Sequence, residues 1–449
     1  MTDGLPQPQR FLAVLTLSIA ICMAVLDGTI VNVALPTMAH ELAVSPAEAI
    51  WIVNAYQLAV TVSLLPLAAL GDRLGYRKVY LGGLALFTLA SLLCAQMHTL
   101  WALAGMRVLQ GLGSAGIMSV NIALVRFVYP RERLGVGVGY ASLVVAASSA
   151  AGPSVAAAIL AVAPWQWLFL VNLPLGLLAL AVGLRTLPRT PRSGRSIDLR
   201  SVVLNALCFG LLIAGLSGFS RPDHGPWVLA MVAAGLLAGT VFVRREWRHA
   251  SPLLPLDLLR MPVFSLSLVT SICSFAAQTM AAVALPFYFE QGLGRSNSET
   301  GLLMTPWPLM TALIAPVAGR LSDRLPPERI SALGLLVMAA GLISLQTLGE
   351  LPAAWDISWR LGLCGLGFGL FQSPNNKVIV GSAPPERSGG ASGLQSMGRL
   401  LGQSLGAVAV ALAFGLGHPP ASLGVTLVAA VLALVAAGAG VMRRMQPAP

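Results

Sequence analysis

The chain has 449 residues, 56% of them hydrophobic and only 10% charged, where an ordinary soluble domain carries about 25% charged residues. So few charges cannot coat the two or three soluble domains this length would otherwise form, and a water-soluble globule is excluded. The formal charge of +11 comes from basic residues scattered between apolar blocks, with no patch interleaved with aromatics, which argues against nucleic acid as a partner. Cys22, Cys94, Cys208, Cys273 and Cys364 each lie inside an apolar run; a disulfide framework, a metal site or a cofactor is not expected from them.

A spanning helix needs about 20 predominantly apolar residues to cross about 30 Å of hydrocarbon. Fourteen segments meet that requirement. The first, 11–35, contains Asp27 and lacks a small-residue cleavage site, so it reads as a retained helix and not a signal peptide. Spans at 48–70, 79–97, 101–124, 134–161 and 167–187 complete a first group. Two more, 201–219 and 226–243, hold no acid or base and are flanked by the longest loops, Pro188 to Arg200 and Arg244 to Pro262. The second group comprises 263–289, 300–318, 330–348, 359–380, 391–415 and 421–441. The expected fold is an all-α polytopic membrane protein: an N-terminal six-helix bundle over 1–188, a linker with two additional helices over 189–262, and a C-terminal six-helix bundle over 263–449.

Basic residues set the orientation. In the gaps between spans they fall on alternate sides: Arg221, Arg295 and Arg360 alone occupy one side, Arg107, Lys377 and Arg399 lie within spans, and the rest, Arg192, Arg195, Arg248, Arg387, Arg443 and Arg444 among them, occupy the other. Both termini are therefore expected in the cytoplasm and the protein in the cytoplasmic (inner) membrane. Trp51, Trp101, Trp165, Trp167, Trp227, Trp355 and Trp359 gather at the opposite ends, as an interfacial aromatic belt does. An internal repeat accompanies this alternation: Asp72-Arg73 after the second span and Asp323-Arg324 after the tenth stand at an offset of 251, each followed by a basic residue. Pseudo-symmetric halves around a midplane site are a common build for secondary transporters.

With these segments in place, the sequence resembles the major facilitator superfamily, in its fourteen-span drug:proton antiporter branch. Gly71-Asp72-Arg73-Leu74-Gly75-Tyr76-Arg77-Lys78 is similar to the superfamily's cytoplasmic loop motif, with Ala68 where a glycine is usual. The stretch Leu26 to Pro36 resembles the first-helix signature of the branch, Arg107 to Gly111 the fourth-helix motif, and Trp165 to Gly176 the junction of the fifth and sixth helices. The fifth-helix antiporter motif keeps Gly152-Pro153 but has Ala156 and Ala157 at its usual glycine pair; Phe371 to Asn376 extends the likeness into the second half. The resemblance implies a proton-coupled multidrug efflux transporter, with protons and a small molecule as its partners, a lipid bilayer around it and a monomeric state.

Read on their own chemistry, Asp27 is an acid in a span, where an unpaired charge costs several kcal/mol; it must face the bundle interior, be protonated or be paired. Arg107, with Gln110 on the same face, can only pair, accept an anion or organise polar groups. The resemblance assigns both to proton coupling. Lys377 and Arg399 are expected near enough to the cytoplasmic ends of their helices to snorkel. Asp72, Arg73, Arg77 and Lys78, with Asp323 and Arg324, form turns suited to a gating latch between helices, or to a merely topogenic basic loop. Gly398, Gly402 and Gly406 recur every four residues, as do Ser148 and Gly152, so close helix packing is expected there, and Pro153 should bend its helix.

Polar or aromatic positions on helices that line the cavity in this superfamily are Asn32, Asn54, Tyr56, Gln57, Gln278, Trp307, Phe371, Gln372, Asn375 and Asn376. An apolar, aromatic site with one acid suits amphiphilic or cationic compounds. Export of an endogenous metabolite and proton-coupled import remain open. A membrane enzyme would have little to work with: all five histidines fall in predicted loops, and Gly111 to Gly116, formally a dinucleotide fingerprint, sits in an apolar helix with no strand before it. A receptor would need a sensing domain, for which no loop is long enough.

Overall fold

A computed structural model describes residues 4–190, 198–218, 225–247, 256–383 and 388–442. Of the positions used to orient the chain, Arg192, Arg195, Arg221, Arg248, Arg387, Arg443 and Arg444 lie outside these, as do His224 and His249. Every regular element among the described residues is helical. The first group comprises α1 (Gln9–Glu41), the single turn α2 (Pro46–Ala49), α3 (Trp51–Leu74), α4 (Tyr76–Ala95), α5 (Leu100–Val128), α6 (Leu134–Leu160), the turn α7 (Trp167–Leu170) and α8 (Asn172–Thr186). Then come α9 (Leu199–Gly218) and α10 (Gly225–Glu246). The last group is α11 (Pro262–Phe287), continued by a π-type turn at Tyr288–Gly292, α12 (Asn297–Met304), α13 (Pro306–Leu321), α14 (Pro327–Ser344), α15 (Ala354–Ser382), α16 (Ser388–Gly415) and α17 (Gly424–Met442).

Twelve helices among the described residues are long and apolar enough to cross a membrane. Two others fall outside that set for different reasons. In α9 the apolar stretch is short, Arg200–Leu216; in α15 the helix is long but diluted by Asp356, Arg360 and the polar run Gln372 to Lys377. The helices also overrun several expected boundaries. The first continues past Leu35 to Glu41, so His40 sits in its last turn and not in a loop, and the span expected at 300–318 is divided at Thr305 into α12 and α13.

In the first group α5 packs between α3 and α4, and α1 lies against α6 and α8; in the last, α15 packs between α13 and α14, and α11 lies against α16 and α17. The two groups meet where α6 faces α12 and α13, where α3 faces α16 and where α1 faces α11. The outer helix α10 packs on α9, and α9 in turn reaches both α3 and α16, with Asn205 donating to the Val62 carbonyl at 2.9 Å.

Features of both groups recur at the offset of 251 that separates Asp72 from Asp323. Ser45 and Glu48 form a reciprocal cap at the start of α2; Ser296 and Glu299 form the same cap at the start of α12. Such a cap satisfies two backbone donors that a helix start otherwise leaves exposed. Likewise Gly83 lies against Gly116 between α4 and α5, and Gly334 against Gly367 between α14 and α15, so both helix pairs touch backbone to backbone.

The core is asymmetric along the helices. At the end opposite the Asp72 and Asp323 turns, one apolar cluster joins both groups, from Ile30, Leu35 and Ile52 through Phe287, Trp307 and Phe368. At the end bearing those turns the core splits into two clusters, one built from α1, α3, α4 and α5 and the other from α11, α15 and α16. Leu400 and Leu65 reach across between them.

Candidate functional site

Asp27 lies 18 residues into α1, roughly 27 Å along a helix rising about 1.5 Å per residue, and it is fully buried. The Arg107 guanidinium of α5 donates to its Oδ2. Gln110, one turn on along the same face of α5, donates through Nε2 to Oδ1 at 2.7 Å and to Ser91 Oγ of α4 at 2.9 Å. Asn172, at the start of α8, reaches Oδ1 at 3.5 Å and Ser91 at 3.4 Å. Arg107 spends its other donors on Gln110 Oε1 at 2.5 Å and the Ile52 carbonyl of α3 at 3.1 Å. Its cationic face lies 4.2 Å from the Tyr56 ring centre, with the Phe169 ring at 5.6 Å. Tyr56 in turn hydrogen-bonds Ser114 at 2.8 Å and donates to the Ala24 carbonyl at 3.1 Å. The ion pair and its hydrogen-bond partners thus fasten five helices, α1, α3, α4, α5 and α8. Removing Arg107 would leave Asp27 ionised without a cation in a medium of low polarity, at a cost of about 3–5 kcal/mol, whereas Arg107 without the acid keeps Gln110, the Ile52 carbonyl and two aromatic faces.

The conserved spacing of the two polar turns leads to different contacts. In the first, Tyr76 donates to Asp72 Oδ1 at 2.5 Å, and Arg77 donates to the Leu184 carbonyl at the end of α8. Gly75, at φ +95, ends α3 in a conformation few other residues adopt. Arg73 and Lys78 are exposed. In the second, Lys377 donates to Asp323 Oδ1 at 2.5 Å and to the Ser322 carbonyl, linking α15 to the end of α13, while Arg324 is exposed. Both turns therefore make contacts within their own group of helices.

Of the expected cavity residues, Tyr56 belongs to the ion-pair centre, and Asn375 is tied to α11 by a 2.9 Å bond to Ser271. Asn32 is buried and spends its amide on the Gly28 carbonyl of its own helix at 3.4 Å. Asn54, Gln57 and Trp307 are buried with side-chain polar atoms that have no hydrogen-bond partner. Gln278, Gln372 and Asn376 are partly buried. The buried Phe371 ring lies 5.8 Å from that of Phe368.

The small residues lie where helices approach one another. Gly398, Gly402 and Gly406 lie against Leu268, Ile272 and Ala276 of α11, and Gly152 lies against Thr29 of α1; a side chain at any of them would collide with the neighbouring helix. Pro153 is accommodated within α6, where its carbonyl lies against Gly301 of α12.

A family model, the Major Facilitator Superfamily, matches residues 17–407 and again 267–449. The chain belongs to the major facilitator superfamily. It is 53% identical over 452 residues to the uncharacterized transporter YebQ of Escherichia coli (strain K12), covering 99% of this chain and 98% of that one. It is 31% identical to the putative multidrug resistance protein MdtD of Cronobacter sakazakii (strain ATCC BAA-894), covering 93% and 89%. The fold matches that of a bacterial homolog of the human lysosomal transporter Spinster, crystallised in an inward-facing and occupied conformation, with TM-score 0.70, 15% identity and 98% of each chain covered. Superfamily members are transporters that take small-molecule substrates, and this multi-pass membrane protein is one of them and not an enzyme.

Within this superfamily member, several residues of the centre carry little sequence signal. Ser91 and Asn172 are single polar residues in apolar runs, and the Ile52 carbonyl has no signature at all. Glu290, half-buried on the π-type turn, has a carboxylate oxygen with no hydrogen-bond partner; it stands one residue past the span expected at 263–289. Trp165 differs from the other belt tryptophans: Trp101, Trp167, Trp227, Trp355 and Trp359 are exposed, whereas Trp165 is buried and donates to Glu41 at 2.8 Å. Arg399 does not sit at its helix end. It lies 11 residues into α16, roughly 16 Å from the first residue, and six residues into the apolar span Gly393–Gly415.

Proposed function

We propose that the protein is a proton-coupled exporter of amphiphilic organic compounds, of multidrug type, acting by alternating access across the cytoplasmic membrane. The observation that carries this reading is the buried Asp27–Arg107 pair with Gln110, Ser91 and Asn172 around it. Ionised Asp27 holds Arg107 and so ties α1 to α5. A proton on Asp27 cancels its charge and leaves Arg107 on Gln110 Oε1, the Ile52 carbonyl and the two aromatic faces, so the tie between α1 and α5 loosens. Loading and unloading that proton on opposite sides of the membrane would bias the two bundles between two arrangements. Each pH unit supplies about 1.36 kcal/mol and each 100 mV about 2.3 kcal/mol.

The membrane topology we propose has fourteen crossings, with α9 and α15 added to the twelve apolar spans, and both termini in the cytoplasm. The alternation of basic residues supports it, and the recurring caps and glycine pairs support two six-helix halves, 1–188 and 263–449, around a central pair in 189–262. On that topology the split core faces the cytoplasm and the shared cluster closes the outer side, which is the inward-facing arrangement. The Asp72 and Asp323 turns, each bonded within its own half, then form the parted gate. The central pair flanks the seam between α3 and α16 and does not line the path. The test is uptake of a dye panel into inverted membrane vesicles, with and without an imposed pH gradient. Gradient-driven uptake by the wild type that Asp27→Asn abolishes supports the reading, and unchanged uptake by well-expressed Asp27→Asn protein refutes the coupling role.

A further inference from the structure

The cations standing more than one turn from the ends of their described helices are Arg107, Arg360, Lys377 and Arg399. Arg107 pairs with Asp27, Arg360 with Asp356 at 3.1 Å, and Lys377 with Asp323 at 2.5 Å. Arg399 alone makes neither an ion pair nor a hydrogen bond among the described residues. A guanidinium cannot discharge by losing its proton, and an unpaired charge at membrane depth is costly unless it faces water or a ligand. Three acids elsewhere neutralise three cations; the fourth is left for something outside the chain.

Its position fits that role. Gly398 and Gly402, on either side of Arg399, press against α11, while Leu400 enters the apolar cluster of the N-terminal half and Gly393 lies beside Leu65 of α3. Arg399 therefore stands on the seam where the two halves meet. Gln395 and Gln403 lie one turn to either side on the same face of α16, both partly buried. Asp27, the acid that would attract a cation, is fully enclosed by its own partners.

We infer that Arg399 is the docking point for the anionic group of the substrate, a carboxylate or similar oxyanion, and that the transported compounds are amphiphilic organic anions. Gln395 and Gln403 flank that group as additional donors. The inference rests on the export reading only for the direction of travel. It replaces the cationic substrate that a lone acid in an apolar cavity suggests.

The test compares two xanthene dyes of similar size, anionic fluorescein and cationic rhodamine 6G, by fluorescence anisotropy on purified full-length protein in phosphatidylcholine nanodiscs. The wild type should bind fluorescein at least about tenfold more tightly, as a charge-assisted hydrogen bond provides. Arg399→Gln should bring the two dyes within about twofold, and Arg399→Lys should keep most of the preference. Equal or tighter binding of rhodamine 6G, no binding of either dye, or a preference unaltered in Arg399→Gln overturns the inference; the wild-type comparison decides even if that variant does not fold. Fluorescein binding that disappears when phosphatidylglycerol is added assigns the site to lipid headgroups and also overturns it. Binding in nanodiscs needs no proton gradient, so these outcomes are independent of whether Asp27→Asn loses gradient-driven uptake, on which the export reading stands.

Discussion

Two regions of the molecule, the charge centre on Asp27 and the remaining expected cavity positions, treat their buried polar groups in opposite ways. In the N-terminal half Asp27, Ser91, Arg107, Gln110 and Asn172 close on one another, so the charge centre is complete without any ligand. Elsewhere the buried polar groups are left open: Asn54 and Gln57 of α3 and the Trp307 indole N–H have atoms without a partner, and Gln278, Gln372, Asn376 and Arg399 make no hydrogen bond among the described residues. Buried polar groups are normally satisfied, so a self-satisfied cluster and an open one do different work. A complete cluster can switch when one proton arrives; an open one waits for water or cargo.

The sharpest way to break this contrast is to open the closed cluster. Arg107→Ala leaves Asp27 charged and buried without a cation, and should cost about 3–5 kcal/mol, read as a fall in the thermal unfolding midpoint of purified protein. Arg107→Lys restores the charge but not the bonds to Ile52 and Gln110, and should recover only part of it. Asp27→Asn should leave the protein monodisperse yet lower gradient-driven uptake roughly 100-fold, about 2.8 kcal/mol of lost coupling. Gly402→Val forces a branched side chain into the Ile272 backbone and should lower stability by about 1–3 kcal/mol, seen as reduced yield of folded protein. Trp307→Phe removes an unpartnered indole N–H and, if the C-terminal half selects cargo, should shift relative dye affinities a few-fold, about 1 kcal/mol, at unchanged stability. The smallest effect is expected at the central pair. There Arg245 donates to Asp198 at 2.8 Å and holds its carboxyl well below the usual carboxylate range. A depressed acid contributes stability above its unfolded value of about 3.9 and loses it as pH falls. Hydrogen exchange at the paired ends of α9 and α10 should be indifferent to this group from pH 5 to 8 and rise only in stronger acid.

The cluster that closes on itself is the easier to read. An acid, an arginine and a glutamine inside apolar runs stand out because each is expensive there, and the structure brings these three together. Ser91 and Asn172 were hidden because a lone hydroxyl or amide in a helix can bond its own backbone, so its presence does not announce a network. Glu290 is hidden for a different reason, one of register: it stands one residue past the span expected at 263–289. An error of a few residues in a span boundary turns a membrane-facing charge into a terminal one, and hydropathy fixes boundaries no better than that. The same softness separates fourteen expected spans from twelve apolar helices, since α15 carries enough polar side chains to lose its apolar signature while keeping its 29-residue helix.

The apolar cluster that seals one end of the molecule also makes its working cycle a calorimetric object. Parting Ile30, Leu35 and Ile52 from Phe287 and Trp307 would hydrate nonpolar surface, and that hydration raises heat capacity. The balance between the two arrangements should then follow a curved rather than a straight van't Hoff plot, and the seal should weaken on cooling as the entropic drive behind it fades.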